Sequence, residues 1–306
     1  MFDNPVEVSS QSIREDSSIC VAMCPPHFIS NEIINNAQMA DICAEYGMVD
    51  IETAQLQFQQ IYQEVTKSAR VYLMPALAGL QDQIYVSNVA SVLPRIDGTG
   101  PLAVMANFKA PGRRGEEQPA ETFLAALGFE TRQCPYFFEG EADLKRLAQG
   151  VYLGSTGMRT EEAALTWIAN ETGNAVIHCQ LESEYLYHLD CCVLPFNEKN
   201  ALVVTEALDR SSLKEIEKHT NIIDVPLNVG LAGATNCVVL DGTVLVDSNL
   251  SLFPSGSEIA LREKSKLEFL ERQCAEHGKH LCSVDVTEFI KSGAALSCMT
   301  LRLSNS

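Results

Sequence analysis

Three short segments of this 306-residue chain carry reactive side chains where packing alone gives little reason for them. The first is Tyr187-His188-Leu189-Asp190. Alternate residues of a strand share a face, so His188 and Asp190 are expected side by side, an imidazole and a carboxylate that can act together on a cationic group. The second, Glu139-Gly140-Glu141-Ala142-Asp143, gathers three acids around a glycine. One of them could orient His188 and keep its imidazole in the working state. The third runs Gly293-Ala294-Ala295-Leu296-Ser297-Cys298. Its small residues let backbone and ligand approach closely ahead of a thiol, and a thiol with a histidine is a nucleophile–base combination. His188 and Cys298 are 110 residues apart and ten other cysteines compete. Residue type alone therefore does not select Cys298.

Composition narrows the setting in which such chemistry would work. Asp and Glu number 40 against 22 Lys and Arg, a net charge of −18, and hydrophobic residues make up 46%. That is the make-up of a core-forming globular protein. An acidic chain without a Lys/Arg cluster cannot gain affinity by releasing counterions from a phosphate backbone, which excludes nucleic acid as partner. The longest uncharged stretch, 225–240, is interrupted by Pro226, Gly230, Gly233 and Asn236 and is too short to span a bilayer, so no membrane is expected. The cysteine count is odd and no pair has Cys-x-x-Cys spacing, which suits reduced thiols. His188 stands three residues before Cys191, but no second ligand pair follows at a sensible spacing, so no metal is expected. The start, Met1-Phe2-Asp3-Asn4-Pro5, has no positive segment leading into an apolar one. The expected location is cytoplasmic.

One order of elements recurs and would position the three segments. Residues 191–196 and 201–205 read as strands around a polar turn. Ser212-Leu213-Lys214-Glu215 reads as a capping box opening a helix, and 222–226 as a third strand. The next unit repeats it: strands at 236–240 and 243–246 flank the hairpin signal Asp241-Gly242, then come a helix over 257–276, a stop at Gly278 and a strand at 281–286. Upstream copies read as a hairpin of 83–93 with 102–108, a helix at 120–127 and a strand at 129–133. Another has strands at 136–138 and 151–153, a helix carrying Ala163, Ala164, Trp167 and Ile168, and a strand at 175–181. The two chain ends supply a strand at 19–23, a helix over 52–67, a strand at 71–74 and a last strand after Cys298, which together make a fifth unit. A period of roughly 45–55 residues suits repeats that bury their faces against their neighbours. No Pro-, Gly- or Ser-rich linker divides the chain, so residues 1–306 are expected to form one domain.

Taken in order, several motifs add up to a family likeness: Met23-Cys24-Pro25-Pro26-His27-Phe28, Asn107-Phe108-Lys109 with Arg113-Arg114-Gly115-Glu116, Phe138-Glu139-Gly140, Tyr187-His188-Leu189-Asp190-Cys191, and Cys298-Met299-Thr300-Leu301-Arg302-Leu303. With them the sequence resembles the pentein superfamily of guanidine-modifying enzymes, which includes dimethylarginine dimethylaminohydrolases, arginine deiminases, amidinotransferases and arginine dihydrolases. It is most similar to the cyanobacterial-type arginine dihydrolases. The resemblance implies an α/β fold, a five-bladed α/β propeller of ββαβ repeats with the site on its axis. It implies Cys298 as the nucleophile on a guanidinium carbon, His188 as acid and then base, and Glu139 as the acid paired with that histidine. Asp190 would hold the guanidinium nitrogens, and Arg159 with Arg113 or Arg114 would clamp the substrate α-carboxylate.

By the same resemblance, Asn88 stands where deiminases and dimethylarginine hydrolases carry aspartate, and agrees with the dihydrolases, in which an asparagine there accompanies hydrolysis past citrulline to ornithine. Asn35 is the counterpart of a pocket asparagine, although Ile34-Asn35-Asn36-Ala37-Gln38-Met39 departs from the Ile-Asn-Pro-Trp-Met of the dihydrolases. The implied activity is hydrolysis of the guanidino C–N bond of arginine or a close derivative. Transfer of the amidino group to an amine and silent binding of arginine-like ligands are the alternatives. The implied partner is a small guanidino compound, no cofactor is implied, and a homo-oligomer is compatible with the sequence.

Overall fold

The repeat closes into a ring. The computed structural model describes residues 19–304, and the N-terminal pentapeptide read above lies outside them. The first strand, β1 (Ile19–Met23), is followed by α1 (Ala37–Tyr46), α2 (Ile51–Thr66) and β2 (Ala69–Leu73), with β2 parallel to β1. The second blade is β3 (Ala90–Pro94), β4 (Pro101–Met105), α3 (Glu117–Ala126) and β5 (Glu130–Gln133). The third is β6 (Leu144–Ala148), β7 (Val151–Gly157), α4 (Glu162–Thr172) and β8 (Ala175–Leu181). The fourth is β9 (Val193–Pro195), β10 (Asn200–Val203), α5 (Arg210–Glu217) and β11 (Asn221–Asp224). A short α6 (Leu227–Gly230) leads to β12 (Val238–Leu240), β13 (Thr243–Ser248), α7 (Glu258–Glu276) and β14 (His280–Asp285). After α8 (Thr287–Lys291), the final strand β15 (Leu301–Arg302) pairs antiparallel with β1 and completes the first blade from the other end of the chain.

Each sheet thus has three strands, an antiparallel pair followed by a helical crossover to a parallel third strand. The crossover is required because parallel neighbours cannot be joined by a tight turn. Residues of β3, β6, β9, β12 and β15 all line one axial cavity of about 1520 Å³, which places the first strand of every blade innermost. The middle strands are buried along most of their length and the third strands are the exposed ones. Helix α7 shows how the outer layer is fixed. Ser257 caps its start by accepting from the Ala260 amide, and Ala260, Glu263, Lys266, Phe269, Leu270, Gln273 and Cys274 form its buried stripe at helical spacing. Lys266 is fully buried and held by Asp247 at 2.8 Å and Glu263 at 2.9 Å. Truncating Leu270, fully buried in that stripe, is expected to cost about 2–5 kcal/mol.

Two local expectations are corrected. Residues 136–138 are not the first strand of their blade. Phe138 makes only a single bridge to Asn107, and the chain turns through a 3-10 segment, Gly140–Asp143, before β6 begins at Leu144. The residue capping α5 is Asp209, whose carboxylate accepts from the amides of Ser211 and Ser212, rather than Ser212. All eleven cysteines are free thiols, and no helix among the described residues is long and apolar enough to cross a membrane.

Candidate active site

The strand reading of His188 and Asp190 fails, yet the two meet in the same cavity. His188 is extended (φ −115°, ψ 156°), and a 3-10 turn, Leu189–Cys191, begins immediately after it. Leu189 is fully buried in the core, and its amide donates to Asp143 Oδ1 at 3.2 Å. Strand alternation therefore does not set the direction of Asp190; this pinned turn does. A narrow cavity of about 50 Å³ is lined by His188, Asp190, Asn236 and Cys298, with Tyr187 and Gly293 at its side.

Cys298 lies in a second 3-10 turn, Ser297–Met299, between the Gly293 segment and β15. It is 7% exposed and backs onto an apolar cluster containing Phe289, Leu296 and Met299. Its Sγ lies 3.7 Å from Asp190 Oδ2, and the Asn236 amide Nδ2 donates to it at 3.7 Å. Ser297 braces this pair, donating through Oγ to Asp190 Oδ2 at 2.9 Å and through its backbone amide to Asn236 Oδ1 at 2.8 Å. Burial, followed by the charge of Asp190, pushes the Cys298 thiol up to about 12. The resting sulfur is thus protonated at neutral pH.

Glu139 is the hub on the imidazole side. Its Oε2 accepts from Arg159 Nη1 at 2.9 Å and lies 2.8 Å from His188 Nε2. Burial works against its charge, but the hydrogen bond and charge of His188, with Arg159 and Arg113, hold the carboxyl at about 2. Its other oxygen, Oε1, is buried and has no hydrogen-bond donor among the described residues. Asp143 stands further off, 4.0 Å from His188 Nε2, and its oxygens accept from Ser155, Thr160 and the Leu189 amide. Glu139 is positioned by Gly140, whose φ of +67° and whose Cα, so close to Ser87 that a Cβ would sit 2.5 Å from its carbonyl oxygen, admit only glycine.

The remaining candidates divide. Arg159 spans from Glu139 to the Asn35 carbonyl at 2.7 Å, its guanidinium 4.7 Å over the Tyr187 ring. Asn35 also donates through Nδ2 to Asp82 Oδ2. Asn88 ends the buried 3-10 turn Val86–Asn88 that packs behind Gly140. Arg113 is 5% exposed and its guanidinium is taken up by Glu116 at 2.6 Å and by the carbonyls of Asp82 and Tyr85. It is held in the interior, and its charge acts on both Glu139 and Cys298. Arg114 donates to the carbonyls of Phe108 and Lys109. Three residues that sequence reading did not single out belong here: Asp82, Asn236 and Ser297. Each acquires its place from a contact with a residue distant in sequence. The Asn36 cap of α1 likewise donates to the Gly293 carbonyl at 3.1 Å, 257 residues away.

Comparison with known proteins agrees with this architecture. The family model "N,N dimethylarginine dimethylhydrolase, eukaryotic" matches residues 24–304. The N(G),N(G)-dimethylarginine dimethylaminohydrolase of Mycobacterium tuberculosis is 24% identical over 92% of this chain and 85% of its own. The bifunctional arginine dihydrolase/ornithine cyclodeaminase ArgZ of Synechocystis is 28% identical over 94% of this chain, which spans only 38% of that longer protein. The crystal structure of the substrate-bound N-terminal domain of the cyanobacterial ArgZ superposes with a TM-score of 0.79, at 24% identity, over 94% of this chain and 98% of that one. The ring of five ββαβ blades, the span of the family match and these likenesses together make the chain a pentein propeller belonging to the N,N-dimethylarginine dimethylhydrolase family.

Proposed function

We propose that the chain is a hydrolase that cleaves a guanidino C–N bond of arginine or a close derivative through a covalent adduct on Cys298. The observation that carries this is the convergence of Cys298, His188 and Asp190 on one cavity, with His188 tied to the buried Glu139. A guanidinium is a poor electrophile because its charge is delocalised, so carboxylates must hold it while a thiolate reaches its carbon. Asp190 lies against the sulfur and would accept the guanidinium N–H groups by charge-assisted hydrogen bonds. The bound cation also answers the raised thiol. A unit positive charge about 4 Å from the sulfur, at an effective dielectric of about 20, favours thiolate by about 4 kcal/mol, or about three pKa units.

The steps balance as follows. Cys298 passes its proton to His188, which lines the same cavity, and Sγ bonds to the guanidino carbon. One C–N bond then breaks, and the departing nitrogen leaves as an amine or ammonia with a proton from His188. Water, deprotonated by His188, attacks the amidino adduct, the C–S bond breaks, and the thiolate leaves a ureido product. A second round on that product would expel a second ammonia to leave a carbamoyl adduct on Cys298, whose hydrolysis gives a carbamate that loses carbon dioxide to yield ornithine. Asn88, an amide able to donate and accept, suits a neutral ureido group. Glu139 orients His188, and Arg159, held at 2.9 Å by Glu139, is the cation taken here for an α-carboxylate. Eleven free thiols support a reducing compartment, the cytoplasm. We take residues 1–306 as one catalytic domain.

Incubation with arginine, methylarginines and citrulline, with Cys298→Ser as control, tests the reading. Ammonia or methylamine released by the wild type and not by the variant is the expected result. Release that survives the substitution rejects Cys298 as nucleophile. Added glycine or lysine that captured the amidino group would turn the reading to amidino transfer.

A further inference from the structure

The activity proposed above requires a thiolate from a sulfur whose charged hydrogen-bond neighbour among the described residues is an acid, Asp190. The side-chain contacts of Cys298 Sγ among the described residues are Asp190 Oδ2 and Asn236 Nδ2, both at 3.7 Å, while the Ala295 backbone is a further hydrogen-bond partner and the charge of Arg113 acts from further off, both in favour of the thiolate. Asp190 opposes ionisation by charge. Asn236 has the opposite sense, because an amide N–H can only donate to the sulfur and a donor is worth more to S⁻ than to S–H. The amide is 5% exposed and lines the same cavity. Its orientation is fixed at both ends. Oδ1 accepts from the Ser297 amide at 2.8 Å, and its own backbone amide donates to the Gly233 carbonyl at 2.9 Å in the turn that precedes β12. With Oδ1 committed to the backbone of the residue before Cys298, Nδ2 has to face the sulfur.

We infer that Asn236 is a further catalytic residue: its carboxamide holds the Cys298 turn through Oδ1 and stabilises the Cys298 thiolate through Nδ2, both when the sulfur attacks and when it leaves. The choice of a neutral donor follows from the substrate class. A lysine or arginine here would stabilise S⁻ more strongly but would repel the guanidinium, whereas an amide favours the thiolate and leaves the cavity's negative field to Asp190. The same hydrogen bond serves the second half-reaction, in which the thiolate is the leaving group once hydroxide has added to the cationic amidino adduct and neutralised its charge. This inference rests on Cys298 being the nucleophile, but its principal test needs no turnover.

The test separates the two ends of the amide. Asn236→Asp keeps an acceptor for the Ser297 amide and removes the donor to sulfur, while Asn236→Ala removes both. Iodoacetamide alkylation of Cys298 is followed between pH 7 and 9 in substrate-free enzyme by peptide mass spectrometry, which separates this thiol from the other ten. The expected result is alkylation slowed about tenfold or more in both variants, equivalent to a thiol raised by about one unit, with the aspartate the slower of the two. In enzyme that turns over, the rising limb of kcat against pH, which reports the substrate complex, moves to higher pH by a similar amount. Wild-type alkylation in Asn236→Asp, or a kcat limb that scales down without moving, overturns the donor role and leaves only the structural one. If alkylation responds as expected while no guanidine is consumed, the substrate reading fails and the assignment of Asn236 stands.

Discussion

Replacing Glu139 by glutamine removes a fully buried charge that lies between His188 and Arg159 while keeping the shape of the side chain. The folded carboxyl is held at about 2, against an ordinary value of 4.5. Because the folded value is depressed, the unfolded chain binds the extra proton, and the stabilisation is complete above about pH 5 and lost as pH falls toward 2. The full difference corresponds to about 3 kcal/mol, of which somewhat under half has gone by pH 3.5. Removing one partner of a buried pair also costs about 3–5 kcal/mol at neutral pH, since it leaves cations without their counter-charge. Urea unfolding of both proteins at pH 6 and pH 3.5 is the assay, read as midpoints at constant slope. The wild type should lose about 1 kcal/mol more than Glu139→Gln over that interval. Equal losses would refute the claim that Glu139 is an ionised hub, and with it the reason given for the orientation of His188.

Gly140→Ala should destabilise the fold by at least about 1–3 kcal/mol from its positive φ alone, with a further penalty from the Ser87 carbonyl, read as a fall in the thermal midpoint. Arg159→Lys keeps the charge but cannot hold Glu139 and the Asn35 carbonyl in one fixed fork. It should lower kcat/KM by roughly tenfold or more, about 1.4 kcal/mol, and an unchanged value would remove Arg159 from the site. Ligand-free Cys298, raised to about 12, should be alkylated roughly tenfold faster per pH unit between pH 7 and 10, as its thiolate fraction grows. A plateau below pH 9 would contradict a thiol raised by burial and Asp190.

The ring of blades was legible because hairpin and helix-stop signals are local. Asp241-Gly242 marked one hairpin, Gly278 ended α7, and a leftover strand at each chain end could only be completed by pairing the two, as β1 with β15 now do. The site was legible as residue types and not as geometry. His188 and Asp190 were placed on a strand because three-residue 3-10 turns leave no periodic trace in sequence. Residues 136–138 look apolar and β-prone, but the turn forced by Gly140 moves the strand to Leu144. Arg113 and Arg159 are indistinguishable by type. Only the folded chain shows that Glu116 takes the first into the interior while Glu139 holds the second beside His188. Asn236 carried no signal at all, since its two partners lie 61 and 62 residues away in sequence.

The central claim is a bond between one sulfur and one carbon. Mixing the enzyme with arginine, quenching in acid within a turnover and weighing the cysteine-containing peptides looks for that bond directly. The account predicts that the Cys298 peptide alone gains the mass of arginine less one ammonia, and that the gain accumulates when His188 is replaced by a residue that cannot activate water but can still let the first amine leave. Steady consumption of arginine with every cysteine peptide unmodified at all quench times would contradict it.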